Sequence, residues 1–312
     1  MTTAVGMLAL GVLLAAAGGE LFVRGTVGLA LAFRVPVAVV GVTVAAFATS
    51  APELSVAVSA GAKGTPAVAI GDALGSNVVN IGLILGIALL LGPVQAGWKA
   101  LARDFWFALA APALTAALVF DGLLSRLDAV VLQAVFFVWL WLTVREARHA
   151  RAVTPPVSGA TPAGGRLAVQ LAAGLALLVG AGICVVRGAL GLGEALSLDP
   201  FVVGVTLVSV GTSVPELATT LIARVRGHEE VALGTVLGSN LFNGLFIAPA
   251  AALLTPAVVD WRAVAGSLVA GAVLVALVAP RAGVLTRWRG APLLAAWAGF
   301  VAWVLWTRPQ LG

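Results

Sequence analysis

Residues Gly41–Asn80 (GVTVAAFATSAPEL…IGDALGSNVVN) and Gly204–Asn243 (GVTLVSVGTSVPEL…LGTVLGSNLFN) repeat one another without a gap, at a spacing of 163 residues. Of the 40 aligned positions, 18 are identical. Chance would give only a handful of identities, even in a chain so rich in Ala, Val, Leu and Gly. The two halves of the chain therefore share one structural plan.

The chain around these stretches is strongly apolar. Of its 312 residues, 61% are hydrophobic and 10% are charged, and the mean hydropathy is +1.10. Soluble domains are roughly 45–50% apolar and about 25% charged, so this composition excludes a soluble enzyme. A membrane-spanning helix needs about 20 mostly apolar residues. Ten apolar stretches meet this description, at about 4–31, 38–62, 67–91, 104–121, 127–144, 167–192, 201–224, 230–254, 263–280 and 291–307.

The long polar joint over residues 145–166 divides the chain into two halves of five apolar stretches each. The predicted organisation is a first five-helix repeat over 1–144, a linker over 145–166 and a second repeat over 167–312. Because five is an odd number, the second copy enters the membrane upside down, which is typical of secondary transporters. The predicted fold class is an all-α integral membrane protein, with ten transmembrane helices in two inverted five-helix repeats.

The basic residues predict the orientation. With residues 145–166 in the cytoplasm, 12 basic residues lie at cytoplasmic ends and 4 at external ends, in line with the positive-inside rule. We therefore expect a multi-pass protein of the plasma membrane with both termini outside the cytoplasm. The same asymmetry explains the net charge of +5 without a nucleic-acid partner. The chain has no GxxxxGK[ST] nucleotide-binding loop. Its oligomeric state stays open, with a monomer as one option.

Each repeat places a carboxylate near the middle of an apolar stretch, in Thr49-Ser50-Ala51-Pro52-Glu53 and in Thr212-Ser213-Val214-Pro215-Glu216. A charge at this depth is costly and marks a functional site by default. No Arg or Lys lies near the centre of either stretch, so the two glutamates need a cation. Each proline also leaves the carbonyl four residues earlier without its N–H partner. Oxygen-only ligation suits Na⁺ or Ca²⁺. Two plainer interpretations stay open. In the first, the glutamates are neutral or paired with Arg; in the second, the prolines only kink their helices.

The second shared element is GSNxxN. Ser76 and Asn80 are four residues apart and share a helix face, and Ser239 and Asn243 repeat this spacing. We predict that these four side chains bind an ion or water, with hydrogen bonding between helices as the alternative. The glycines of the element are expected to allow close helix approach.

Together the two elements closely resemble the α-repeats of the sodium/calcium exchanger family, in the cation/calcium exchanger superfamily, and the chain resembles a prokaryotic member. The resemblance implies electrogenic exchange of Na⁺ for Ca²⁺ by alternating access, with these ions as substrates and no cofactor. It implies that Glu53 and Glu216 are the central Ca²⁺ ligands. The further implied ligands are the side chains of Thr49, Ser50, Thr212, Ser213, Ser76, Asn80, Ser239 and Asn243, and the backbone carbonyls of Ala46 and Ser209. It also implies that the long, glycine-rich first and sixth helices slide across the other helices.

Two positions depart from the family pattern. Asn243 stands where several prokaryotic relatives carry Asp, so the site has two central carboxylates and potassium co-transport is not expected. Asp72 stands where the family commonly has Asn, and its counterpart in the second repeat is Thr235. At 1.5 Å per residue, Asp72 lies about 12 Å from Asn80 toward the outside. We predict that it lines an external vestibule and attracts cations; the alternative is a solvated residue at the membrane surface.

Three other functions compete with Na⁺/Ca²⁺ exchange. An H⁺-coupled antiporter of Ca²⁺ or another cation, from the same superfamily, could use a buried glutamate as its proton carrier. An intramembrane enzyme lacks support, because the chain has no HExxH or GxSxG motif and this function leaves the repeat unexplained. A passive channel fits two enclosed carboxylates less well than an occluding transporter does.

Overall fold

The computed structural model describes residues 2–95, 98–153, 164–195, 209–259, 261–279 and 283–307, which are almost entirely helical. Among the described residues, Gly41–Ala45, Val79–Leu85 and Asn243–Ile247 are π-helical, and Arg287–Arg289 form a short 3₁₀ turn. The α-helical segments are Thr2–Phe33, Val37–Val40, Ala46–Thr49, Ala51–Ala62, Pro66–Val78, Gly86–Leu90, Trp98–Leu118, Arg126–Val153, Gly164–Ala195, Ser209–Thr212, Val214–Val225, Glu229–Phe242, Ala248–Leu254, Trp261–Leu277 and Gly290–Thr307.

The helices suit a membrane. Six of the described helices are long and apolar enough to cross one, and a seventh candidate is the pair Val37–Thr49 and Ala51–Ala62, which is bent by 47°. Large apolar side chains such as Leu13 and Trp141 point outward, with exposures of 68% and 59%. A lipid-facing surface requires this, because the bilayer interior is itself apolar. The count of ten spans stays a prediction, and residues 201–208 of the seventh stretch lie outside the described residues.

The predicted linker is partly helical. The helix Arg126–Val153 continues into it, and the helix Gly164–Ala195 begins before its predicted end. Residues 154–163 lie outside the described part of the chain. The division into two repeats and a linker stays a prediction.

Besides its helices, the part of the chain that the structure describes has four strands of two residues each. Strand β1 (Val94–Gln95) pairs antiparallel with β4 (Val284–Leu285), and β2 (Leu123–Leu124) pairs with β3 (Ala257–Val258). These pairs satisfy backbone N–H and C=O groups of the connections between helices. Each pair joins one strand from each half. A shift of 163 residues moves Val94 of β1 onto Ala257 of β3, and it moves Leu123 of β2 to within one residue of β4. The same shift therefore turns the pair of β1 with β4 into the pair of β3 with β2, so the two pairings exchange.

Glycine allows the helix Glu229–Phe242 to pack closely against Val37–Thr49. A methyl group at Gly238 would overlap the carbonyl oxygen of Val42 and lie 2.6 Å from Cβ of Ala46. The GSNxxN element of the second repeat is thereby brought against the TSxPE element of the first.

Glycines also line the contact between the two long helices, Thr2–Phe33 and Gly164–Ala195. A Cβ at Gly18 would lie 2.9 Å from the carbonyl oxygen of Gly174. The neighbouring Gly19 instead faces Ala218 and Ile222 of the helix Val214–Val225. Gly18 thus lies at the contact between the two long helices. Gly19 faces the helix Val214–Val225, one of the helices across which the resemblance implies sliding.

Candidate ion-binding site

Each TSxPE element lies at a break between two helices. Ser50 separates Ala46–Thr49 from Ala51–Ala62 with φ −84° and ψ 11°, and Ser213 repeats this geometry with φ −83° and ψ 10°. Proline then occupies the first turn of the following helix, where its missing N–H removes no bond within the helix. Both glutamates also lie in this first turn, where the helix dipole favours a negative charge.

The break brings the two repeats together at one carboxylate. Glu53 and Glu216 are each only 1% exposed. The Ser50 hydroxyl of the first repeat donates to Oε1 of Glu216 at 2.9 Å, and the Ser239 hydroxyl donates to the same oxygen at 3.2 Å. Within the described residues, the ion pairs all lie elsewhere, so neither glutamate is neutralised by Arg or Lys.

Buried polar atoms that lack hydrogen-bond partners gather at these elements. In the described part of the chain, both carboxylate oxygens of Glu53 and Oε2 of Glu216 have no such partner. The same holds for the hydroxyl groups of Ser76 and Ser213, for Oδ1 of Asn80 and for both amide atoms of Asn243. Buried polar groups are nearly always paired in folded proteins, so this set calls for a bound ion or water. Carboxylate, hydroxyl and amide oxygens are the ligands that hard cations such as Na⁺ and Ca²⁺ prefer.

The carbonyls of Ala46 and Ser209 already accept hydrogen bonds. The Thr49 hydroxyl donates to the carbonyl of Ala46 at 3.2 Å, and the Thr212 hydroxyl donates to that of Ser209 at 3.1 Å. The backbone N–H groups of Ser50 and Ser213 donate to the same two carbonyls, at 3.0 and 3.3 Å. A carbonyl oxygen has two lone pairs. A cation at either carbonyl therefore has to displace one of these donors.

Asp72 is half-buried. Its counterpart Thr235 is fully buried. The vestibule role of Asp72 stays a prediction.

The hydrogen bonds of the site are asymmetric with respect to the repeat. Three side-chain bonds are formed, from Ser50 to Glu216, from Ser239 to Glu216 and from Asn80 to Asn240. Their counterparts at a shift of 163 residues would run from Ser213 to Glu53, from Ser76 to Glu53 and from Asn243 to Asn77. The atoms that would form these counterparts, which all belong to described residues, have no partner. The Glu216 side of the site is therefore hydrogen-bonded and the Glu53 side is open.

Two asparagines that the sequence did not single out as site residues join the repeats. The Asn77 side-chain NH₂ donates to the backbone carbonyl of Asn240 at 3.3 Å, and the Asn240 side-chain NH₂ donates to that of Asn77 at 3.1 Å. Both are identical between the repeats, which was the available signal. Thr219 and Thr220, which were not expected at the site either, have fully buried hydroxyls that lack partners in the part of the chain described. Their counterparts in the first repeat are Val56 and Ala57, so the repeat gave no signal for them.

Comparison with known proteins agrees with this architecture. The family described as sodium/calcium exchanger protein matches residues 3–145 and 166–306. The putative antiporter CaxA of Alkalimonas amylolytica is 31% identical over 296 residues, which cover 89% of this chain and 91% of the relative. The inner membrane protein YrbG of Escherichia coli (strain K12) is 32% identical over 268 residues, which cover 83% and 82% of the two chains.

A solved structure matches nearly the whole chain. The sodium-calcium exchanger NCX_Mj, soaked with 2.5 mM Na⁺ and 0.1 mM Ca²⁺, has a TM-score of 0.83 at 28% identity, covering 98% of this chain and 99% of that one. The family match includes both repeated elements and more than half of the chain. The chain therefore belongs to the sodium/calcium exchanger family and is a membrane transporter, not an enzyme.

Proposed function

We propose that this transporter exchanges Na⁺ for Ca²⁺ by alternating access and moves net charge. Antiport of cations including Ca²⁺ follows from the family; the choice of Na⁺ as the counter-ion is the proposal. The observation that carries it is the pair Glu53 and Glu216, buried without a basic partner among the described residues and surrounded by unpartnered oxygens from both repeats.

The charges of the site support electrogenic exchange. The two carboxylates carry −2 when ionised, which one Ca²⁺ or two Na⁺ balance. An additional Na⁺ needs neutral oxygens, and the unpartnered Ser76, Ser213 and Asn80 oxygens provide them. Exchange of Ca²⁺ for more than two Na⁺ would then move charge across the membrane. We assign Glu53 and Glu216 as the central Ca²⁺ ligands. The further ligands of this proposal are Thr49, Ser50, Thr212, Ser213, Ser76, Asn80, Ser239 and Asn243, with the carbonyls of Ala46 and Ser209.

The proposed arrangement in the membrane is ten spans in two inverted repeats, with the linker 145–166 in the cytoplasm and both termini outside. The exchanged pairing of β1 with β4 and β2 with β3 supports an inverted repeat. The description of the Escherichia coli relative as an inner membrane protein supports the plasma membrane.

The test is ⁴⁵Ca²⁺ uptake into proteoliposomes loaded with Na⁺ and diluted into Na⁺-free buffer. We expect uptake that requires the outward Na⁺ gradient and that responds to an imposed membrane potential, because net charge moves. Proteoliposomes with a proton gradient and no Na⁺ are the control. Uptake driven by the proton gradient alone would replace Na⁺ coupling by H⁺ coupling at the same site. Uptake under neither gradient would overturn Ca²⁺ transport.

Asp72→Asn tests the proposed external vestibule. We expect the apparent affinity for external Ca²⁺ to fall about threefold to tenfold, because a charge about 10 Å from a divalent ion contributes on the order of 1 kcal/mol where solvent is near. The loss should shrink at high ionic strength, which screens exposed charges. Asp121→Asn is the matched control, since Asp121 is exposed and its bond to the N–H of Leu123 survives in the amide. An unchanged affinity in Asp72→Asn would remove the vestibule role.

A further inference from the structure

Asn240 determines which way the amide of Asn80 faces. The Asn240 Nδ2 donates to the backbone carbonyl of Asn77 at 3.1 Å. A carbonyl can only accept, so the Nδ2 of Asn240 must lie on that side and its Oδ1 on the other. This Oδ1 accepts a hydrogen bond from Nδ2 of Asn80 at 3.1 Å. The Oδ1 of Asn80 is then directed away from Asn240, and it is buried without a partner in the described structure.

The two asparagines lie where both GSNxxN helices change geometry. Asn80 belongs to the π-helical segment Val79–Leu85, and Asn240 lies three residues before the π-helical segment Asn243–Ile247. Short π-helical segments occur often at functional sites. The reciprocal bonds between Asn77 and Asn240 hold these two junctions against each other.

We propose that Asn240 is a positioning residue, which holds the amide of Asn80 so that its oxygen, and not its NH₂ group, faces the bound cation. The inference rests on the proposed function of the site. The Nδ2 of Asn240 is bonded to the carbonyl of Asn77 and its Oδ1 to the Nδ2 of Asn80, so each end of the side chain is held by one of these residues. A cation near an unfixed amide would have to turn that amide before binding to it, and the fixed amide avoids this cost.

The corresponding link in the other half is open. Both amide atoms of Asn243 and the Oδ1 of Asn77 lack partners within the residues described, so nothing fixes the amide of Asn243. The two ligand asparagines should therefore respond differently to the same isosteric change. Asn80→Asp removes the donor to Asn240 and places two acceptors face to face, and Asn240 cannot turn without losing its bond to Asn77. Asn243→Asp breaks no side-chain hydrogen bond.

The first experiment is equilibrium ⁴⁵Ca²⁺ binding to the purified full chain in lipid nanodiscs, as a double-mutant cycle. We expect Asn240→Ala to weaken Ca²⁺ binding about tenfold in the wild-type background and less than about twofold in the Asn80→Ala background, because coupled neighbours are not additive. A purely structural role for Asn240 would weaken binding by the same factor in both backgrounds. That result, or unchanged binding in Asn240→Ala, overturns the proposal.

The second experiment compares Asn80→Asp with Asn243→Asp by thermal unfolding in detergent without added Ca²⁺. We expect Asn80→Asp to melt at least about 5 °C below Asn243→Asp, since it alone loses a buried hydrogen bond. Equal melting temperatures overturn the assigned orientation. This comparison stands even if Asn240→Ala fails to fold or the wild-type chain binds no Ca²⁺. Absence of Ca²⁺ binding by the wild-type chain would instead defeat the proposed function.

Discussion

Glu216→Gln is expected to abolish Na⁺-dependent Ca²⁺ uptake while the protein stays folded. The glutamine oxygen can still accept the hydroxyls of Ser50 and Ser239, which bond to Oε1 in the wild type, so the local packing survives. What disappears is one of two negative charges at a site shielded from water. A loss of about 3 kcal/mol or more in Ca²⁺ binding, about 100-fold, follows from the strength of charge interactions in such an environment.

Glu53→Gln should have an equally large effect on uptake for the same electrostatic reason. It should perturb the fold even less, because neither carboxylate oxygen of Glu53 has a hydrogen-bond partner in the described structure. The measurement is the initial rate of ⁴⁵Ca²⁺ uptake into Na⁺-loaded proteoliposomes, with gel filtration and thermal unfolding as checks of folding.

Glu230→Gln is the matched control for both variants. It removes the same charge from the same type of residue in the first turn of a helix, but the Glu230 side chain is exposed. Its uptake should equal that of the wild type. If a folded Glu53→Gln or Glu216→Gln variant kept more than a tenth of the wild-type uptake, that glutamate would lose its assignment as a central ligand.

The sequence predicts the breaks of the two TSxPE helices well. A proline four residues after a carbonyl cannot close the helical bond, and both breaks fall at the serine two residues before the proline, with nearly identical backbone angles. The burial of Glu53 and Glu216 also follows from the sequence, because each lies in the middle of an apolar stretch. Local chemistry and the repeat are sufficient for these features.

The contacts between the repeats could not be predicted in the same way. That Ser50 bonds to Glu216, 166 residues away, depends on how two helices cross, and no local pattern encodes a crossing. The π-helical segments could not be predicted either, since no proline interrupts Val79–Leu85 to mark a departure from an ordinary α-helix. Asn77 and Asn240 were visible as identities in the repeat. Their role depends on which group each amide faces, and only the folded contacts decide that.

The asymmetry between the two glutamates also lies beyond the sequence. Ser50 and Ser213 occupy equivalent positions in nearly identical motifs, yet only the Ser50 hydroxyl bonds to the carboxylate of the opposite repeat. In the proposed alternating-access mechanism, exchanging the hydrogen-bonding states of the two halves would give the opposite-facing conformation. The repeat predicts that both arrangements are accessible, and the folded structure holds one of them.

Gly238→Ala is expected to destabilise the protein and to cut uptake at least tenfold, although Gly238 binds no ion in our proposal. The added methyl group would overlap the Val42 carbonyl oxygen and approach Cβ of Ala46 to 2.6 Å, and backbone atoms in a packed helix cannot move aside cheaply. Overpacking of this kind costs about 1–3 kcal/mol.

We expect Gly238→Ala to lose uptake because Ser50 directly follows the helix Val37–Thr49. Pushing this helix outward draws Ser50 away from Glu216, to which it bonds at 2.9 Å. Thermal unfolding and ⁴⁵Ca²⁺ uptake measure the two effects.

Gly299→Ala, in the helix Gly290–Thr307, is the control, because no described atom lies within 4 Å of its added methyl group, and it should match the wild type in both assays. Ala46→Gly should rescue Gly238→Ala only slightly, since the overlap with the Val42 carbonyl remains. Full rescue, or wild-type uptake by Gly238→Ala alone, would show that the two repeats do not need this close approach to build the ion site.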